Sequence, residues 1–224
     1  MLTPLPSDAL HRGWLFRLLT AVCEQPFLSQ RIGFKGGTCA AMRGFLNRFS
    51  VDLDFDLLIE VKELSLVKEH FEKVFHSLEL TIKDGSIKVP QYYLSYQTLR
   101  PSDRNTIKVD VSFPSLKEND YEMVMLPEID RVVRCQTQDT MFANKLIALI
   151  ERYENKNKVA GRDLYDVHQF FLQGFRYKKE IIQARRKSSL VVFFEELVDF
   201  VQRVVTDTMI EQDLNTLLPY KEFR

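Results

Sequence analysis

Cysteine, histidine and tryptophan are scarce in this chain, and it has no net charge. The three cysteines, Cys23, Cys39 and Cys135, are odd in number and far apart, with no Cys-x-x-Cys. That argues against both a structural zinc site and a disulfide framework, and fits a reducing cytoplasm. Four scattered histidines form no His-Glu-x-x-His, so the zinc-protease pattern is missing. No glycine segment reads as a Walker loop or as a Gly-x-Gly-x-x-Gly dinucleotide turn. No apolar run reaches membrane-spanning length, and Pro4, Pro6 and Asp8 stand where a signal peptide needs a basic segment and an apolar run. Lysine plus arginine equals aspartate plus glutamate at 31 each, so no global field recruits nucleic acid or membrane, and any polyanion site must be local. The expectation is a soluble cytoplasmic protein.

What is present is a hydrophobic fraction of 45% with 17 phenylalanines in 224 residues, enough to bury a substantial core. Ser7 is a candidate N-cap for a helix with Leu10, Trp14, Leu18 and Val22 on one face, ending at Pro26. A short strand, Arg31 to Phe34, runs into Gly36-Gly37-Thr38, with a short helix over Cys39 to Phe45. Val61 to Leu78 has helical apolar spacing. Thr81 to Tyr96 contains Asp84-Gly85, a hairpin signal. Asn105 to Phe113 alternates as a strand, and Arg131 to Cys135 is a last short strand. From Thr137 the pattern becomes helical: Gln138 to Tyr153, Asp163 to Leu172, Lys178 to Arg185, and Leu190 to Met209. The fold class expected is α+β, with a core over residues 1–136 and a helical region over 137–224.

The chemistry concentrates in a few places. In Ser50 to Leu58, Val51, Leu53, Phe55 and Leu57 alternate with Asp52, Asp54 and Asp56, so the aspartates share one strand face. At about 3.3 Å per residue, Asp52 and Asp54 start about 6.6 Å apart and can converge on divalent ions. Asp110, on a strand with the same alternation, is a candidate third carboxylate, and Asp56 competes with it. Gly36 and Gly37 permit positive φ and close backbone approach to a phosphate at a helix N-terminus, and Thr38 adds a hydroxyl. Lys145 lies on the edge of an apolar helix stripe and shares its face with Arg152, within reach of a triphosphate. Asp163 and Asp166 stack at i, i+3, with Asp163 placed as a helix-terminal acid. Lys156, Lys158 and Arg162, then Arg176, Lys178, Lys179, Arg185, Arg186 and Lys187, form basic clusters able to meet a nucleic-acid backbone.

Four segments in order, Phe34-Lys35-Gly36-Gly37-Thr38, Arg48-Phe49-Ser50-Val51-Asp52-Leu53-Asp54-Phe55, Ala143-Asn144-Lys145-Leu146-Ile147-Ala148-Leu149 and Arg162-Asp163-Leu164-Tyr165-Asp166, resemble the AbiEii/AbiGii toxin family of nucleotidyltransferases, which includes the MenT toxins. The resemblance implies a DNA-polymerase-β-like nucleotidyltransferase core with a C-terminal helical region. In it, Asp52, Asp54, Lys145 and Asp166 would be catalytic. Gly36, Gly37, Thr38, Ser50, Lys145 and Asp163 would bind the nucleotide, and Asp52 and Asp54, with Asp110, would hold magnesium or manganese. It further implies a nucleoside triphosphate donor, an RNA acceptor such as the tRNA 3′ end, and a cognate antitoxin in a toxin–antitoxin or phage-defence pair. Where the family usually has Ala-Glu-Lys, this chain has Ala143-Asn144-Lys145. Two alternatives stand beside this reading: transfer to a small molecule such as an antibiotic, and a nucleotide-binding module that has lost catalysis.

Overall fold

The structure, a computed structural model, describes residues 5, 8–85, 89–98, 100 and 103–219. Helix α1 (Asp8–Glu24) opens the chain, and the proposed cap Ser7 lies outside the described residues. Pro26 does end it, but also starts a single-turn helix, α2 (Pro26–Ser29), whose cap Gln25 accepts from the Leu28 N–H at 2.8 Å. Proline suits this first helical position because no N–H is needed there. Strand β1 (Ile32–Lys35) leads directly into α3 (Gly36–Met42), so the glycine pair forms the first turn of the helix and does not precede it. Strand β2 (Asp52–Leu57) follows, then a 3-10 turn (Val61–Glu63) and α4 (Leu64–Ser77).

Strands β3 (Thr81–Gly85) and β4 (Gln91–Ser95) pair antiparallel, as the hairpin signal implies, but Asp84 and Gly85 are paired with Tyr93 and Tyr92. The turn therefore comes after the Asp-Gly, in a connection only partly within the described residues. Strands β5 (Thr106–Ser112), β6 (Tyr121–Leu126) and β7 (Arg131–Gln136) complete a seven-stranded sheet of order β3-β4-β5-β2-β1-β7-β6. It is mixed, with β2 parallel to β5 and β1 parallel to β7. Strand β6 has no clean period-2 signature: Met123 and Met125 are exposed at the sheet margin and Leu126 is buried.

The described elements after Thr137 are all helices: α5 (Gln138–Lys156), α6 (Gly161–Leu172), α7 (Lys179–Arg186), α8 (Leu190–Val204) and α9 (Asp207–Leu214). The single helix expected from Leu190 to Met209 is broken. Val204-Val205-Thr206 is β-branched throughout and poorly suited to a helix, and Thr206 instead caps α9 by accepting from the Met209 N–H at 3.3 Å. None of the described helices is long and apolar enough to cross a membrane.

The alternation in β2 and β5 decides which side of the sheet is core. Leu53, Phe55, Val109 and Val111 are buried, and Phe55 meets Phe71 of α4 at 6.2 Å between ring centroids, while Phe75 meets Tyr92 at 4.9 Å. Each phenylalanine taken from water contributes about 1.5–3 kcal/mol. The buried apolar residues run without a break from this layer into α5, α6 and α8, through Phe142, Phe170 and Phe193. Asp52, Asp54 and Asp110 are thereby turned to the opposite face of the sheet.

Candidate active site

That opposite face floors a cleft of about 380 Å³. Parallel pairing puts Asp54 of β2 in register with Asp110 of β5, and Asp52 in register with Lys108. All four line the cleft. Asp56 does not, because it is sealed into the protein at 1% exposure. Its Oδ1 accepts from Lys35 Nζ at 2.6 Å, and its Oδ2 from Tyr121 Oη at 2.7 Å and Gln136 Nε2 at 2.6 Å. A carboxylate so satisfied fastens β2 to its neighbours. Of the two competing third carboxylates, Asp110 is the one facing the open space.

The floor carboxylates are electrostatically unfavourable as they stand. Burial pushes Asp54 up to about 6, and the charges of Asp52 and Asp110 act the same way against Lys35 and Lys108. Asp52 is raised by burial as well, with Arg162, Lys108 and Arg104 opposing. Asp110 is turned toward Lys108 and accepts from Gln91 Nε2 at 3.2 Å. Among the described residues no three acidic, histidine or cysteine side chains already converge on one point. The donor set nevertheless suits a hard divalent cation: carboxylate oxygens on adjacent strands, two of them held at a cost that a cation would relieve.

Helix α3 abuts this floor. Gly36 has φ +79°, and a Cβ built there would lie 2.2 Å from Asp54 Oδ2. Any other residue would combine left-handed backbone strain with a collision against the central carboxylate. Gly36→Ala is expected to lower stability by about 1–3 kcal/mol and to displace Asp54, so that the nucleotidyl-transfer activity implied by the resemblance falls further than the folded fraction does. Parallel urea melts and rate measurements check this, and an unchanged specific activity would contradict it.

Thr38 and Ser50, expected at the nucleotide, sit behind the turn. Thr38 is fully buried, within 2.8 Å of Ser50 Oγ, and donates to the Asp52 carbonyl at 2.5 Å. Its hydroxyl pins the helix start to β2 and does not line the cleft. Ser50 is also buried, but reaches the cleft wall beside Gly37.

The facing wall comes from α5 and α6. Lys145 reaches Asp166 Oδ2 at 2.5 Å and Asp163 Oδ1 at 3.9 Å, and Arg152, on the same helix face, pairs with Asp163 Oδ2 at 2.8 Å. Asp163 thus serves the cleft wall through its side chain, and α6 has no side-chain cap. Asp166, expected to be catalytic, is wholly buried and outside the cleft lining. Burial alone would raise its carboxyl, but Arg48 and Lys145 outweigh that and hold it below the usual carboxylate range.

Sequence reasoning singled out neither Lys35, Lys108 nor Arg48 as cleft residues. Lys35 and Lys108 carried a readable signal, since each alternates with buried neighbours on the same face as the aspartates. Arg48 had none beyond its place before the acidic strand. Asn144, standing where a glutamate is usual, accepts from Arg185 Nη1 at 3.0 Å and donates to Asn119 Oδ1 at 3.0 Å, and Arg185 finds its carboxylate in Glu151. Lining cations (Lys35, Arg48, Lys108, Lys145, Arg152, Arg162, Arg185) outnumber lining carboxylates (Asp52, Asp54, Asp110, Asp163), so the cleft concentrates positive charge in a chain without net charge.

A model of the AbiEii nucleotidyl transferase toxin family, a type IV toxin–antitoxin system, matches residues 17–220. Among solved structures, a putative nucleotidyltransferase from H. pylori aligns with a TM-score of 0.60 at 20% identity, covering 98% of this chain and 90% of that one. JHP933 from Helicobacter pylori aligns with a TM-score of 0.60 at 19% identity, over 99% and 88%. An antigenic nucleotidyltransferase-like protein from Paracoccidioides brasiliensis aligns with a TM-score of 0.53 at 14% identity, over 93% and 95%. No curated protein sequence matches the chain. The α+β fold with a mixed sheet is the nucleotidyltransferase fold that the sequence led us to expect.

Proposed function

Because the chain belongs to the AbiEii nucleotidyl transferase toxin family, we propose that this nucleotidyltransferase is a divalent-metal-dependent toxin that transfers a nucleotide from a nucleoside triphosphate to the 3′ end of tRNA. The observation that supports it most directly is the in-register placement of Asp54 and Asp110, with Asp52 beside them, under the glycine start of α3. Asp52, Asp54 and Asp110 would hold magnesium or manganese. Bound there, the cation supplies Lewis-acid stabilisation of charge on the α-phosphate and the departing pyrophosphate.

This chain's residues do the rest. The backbone N–H groups at Gly36 and Gly37 and the ammonium of Lys145 orient the triphosphate chain, and Arg152 and Arg162 neutralise it from the facing wall. The acceptor hydroxyl oxygen bonds to the α-phosphorus, its proton passing to water in the open cleft, as the bond to the β-phosphate bridging oxygen breaks, and pyrophosphate leaves. In this reading, residues 1–136 carry the metal face and residues 137–224 complete the cleft.

Charge at the mouth supports an RNA acceptor. Lys178, Arg185 and Arg186 are paired with Asp120, Glu151, and Glu154 and Glu196. Lys156, the last residue of α5, and Lys158, in the α5–α6 connection, are exposed a few residues before Arg162 in the chain, without ion-pair partners among the described residues. In this reading they meet the phosphate backbone of the approaching acceptor. The proposed partner in the cell is the antitoxin of the pair.

The test is transfer of label from each nucleoside triphosphate to total tRNA in the presence of magnesium. Label is expected on intact tRNA and not on tRNA whose 3′ diol has been oxidised by periodate. Charge reversal at Lys156 and Lys158 is expected to raise the KM for tRNA several-fold while leaving the KM for the triphosphate in place. Failure to label any RNA, with protein that is folded and binds triphosphate, rules the proposal out.

A further inference from the structure

Arg48 sits in the loop between α3 and β2 at 3% exposure, yet it borders the cleft. Its Nε donates to Asp166 Oδ1 at 2.6 Å, its Nη2 to Asp166 Oδ2 at 2.7 Å, and its Nη1 to the Phe49 carbonyl at 2.9 Å. These bonds use three of the five N–H groups of a guanidinium, leaving one hydrogen on each Nη nitrogen without a partner among the described residues. Nη2 lies against the start of α3, where a Cβ built on Gly37 would come within 2.7 Å of it. A larger residue at Gly37 would have to push the guanidinium aside.

The charges of this cluster do not balance. Arg48, Lys145 and Arg152 face Asp163 and Asp166, which leaves one positive charge in excess, with Arg48 and Lys145 largely shielded from solvent and Arg152 partly open to the cleft. A buried ion cluster serving only to hold elements together gains nothing from an unpaired cation. An anion supplied from the cleft completes it.

We propose that Arg48 is an anion-binding residue of the donor site, gripping a triphosphate oxygen together with the glycine turn, and that Asp166 is the positioning residue that aims it. This rests on the cleft being the donor site. Asp166 fixes the guanidinium plane by a two-pronged bond and fixes Lys145 through the same carboxylate, so one buried group sets two phosphate contacts at once. It acts through those cations and does not touch the nucleotide.

The experiment is calorimetric titration with magnesium tripolyphosphate, which has no base, sugar or acceptor. It compares wild type with Arg48→Met, Arg48→Lys, Asp166→Asn and the double variant Arg48→Met/Asp166→Asn. Loss of a charge-assisted contact predicts roughly 10- to 100-fold weaker binding in Arg48→Met. Arg48→Lys recovers only part of it, because an ammonium cannot serve both prongs of Asp166 and the anion. Asp166→Asn also weakens binding, and adding Arg48→Met to it costs less than Arg48→Met alone, the mark of two residues acting as a unit. In turnover, the KM for the triphosphate rises in Arg48→Met.

If Arg48→Met does not fold with Asp166 left unpaired, the double variant, which removes both charges, decides the matter. A folded Arg48→Met or double variant that binds tripolyphosphate as wild type does overturns the proposal, as does a wild type that does not bind it. A wild type that binds the probe but labels no RNA overturns the tRNA reading and leaves this one intact.

Discussion

Asp54→Asn is expected to abolish nucleotide transfer and, in the same protein without metal, to raise stability above wild type. The carboxyl stands at about 6 in the folded chain against an ordinary value of 3.8. Between those two pH values the native state binds more protons than the unfolded one, so stability falls as pH rises through that window and does not recover by pH 7. Two pKa units correspond to about 3 kcal/mol at most. Since Asp54 is only half-buried, solvent screening reduces this to roughly 1–2 kcal/mol. Asparagine keeps the shape and removes the charge, so the variant recovers that amount while losing the oxygen proposed to bind the metal and, with it, roughly three orders of magnitude of rate. Urea melts of metal-free protein at pH 4, 5, 6 and 7 should diverge between wild type and variant toward neutral pH and converge in acid. Adding magnesium should stabilise wild type and leave the variant unmoved. Wild-type transfer by the variant would remove Asp54 from the site, and parallel melts would mean that its charge is not strained.

This conflict between charge and stability is also why the site was partly legible in the sequence. Aspartates on one face of an otherwise apolar strand violate the pattern that a core strand would choose, and Asp52, Asp54 and Asp110 stand out for that reason. The period of a strand is local, so it also gave the face of β5 correctly: Ile107, Val109 and Val111 are buried, and Lys108 and Asp110 are turned to the cleft. It does not say which aspartate on a face meets solvent. Asp56 repeats at the same spacing, and bonds from Lys35, Asn119, Tyr121 and Gln136, all distant in sequence, take it out of the cleft. Helical spacing likewise placed Lys145 and Arg152 on one face, and both reach Asp163. The position of Thr38 depended on the helix starting at Gly36, a shift of a few residues that turns a side chain from ligand to core. Arg48 and Asp166 were the least legible, since their roles follow from a contact across 118 residues that no local pattern encodes.

That contact yields the second large effect. Asp166→Ala leaves Arg48 and Lys145 as poorly solvated cations whose shared carboxylate is gone, where the aspartate had bonded to both. Removing one member of a buried ion cluster costs about 3–5 kcal/mol, because the remaining charges lose their compensation and stay desolvated. In a chain of this size that amounts to a fall in melting temperature of about 6–20 °C. The effect on catalysis alone would not separate a nucleotide-touching carboxylate from a buried positioning one, since either loss stops transfer. Stability does separate them. A carboxylate half-buried among like charges in a ligand cleft is held at a cost, as Asp54 is, and its removal stabilises the protein. One that binds two buried cations destabilises when removed. Adding Arg48→Met to Asp166→Ala should then restore most of the lost stability, by eliminating the orphaned guanidinium, while transfer stays absent. A thermal melt of Asp166→Ala at or above the wild-type midpoint would return Asp166 to the catalytic role first expected of it. A fall that Arg48→Met repairs makes it the post from which the cationic wall of the cleft is hung.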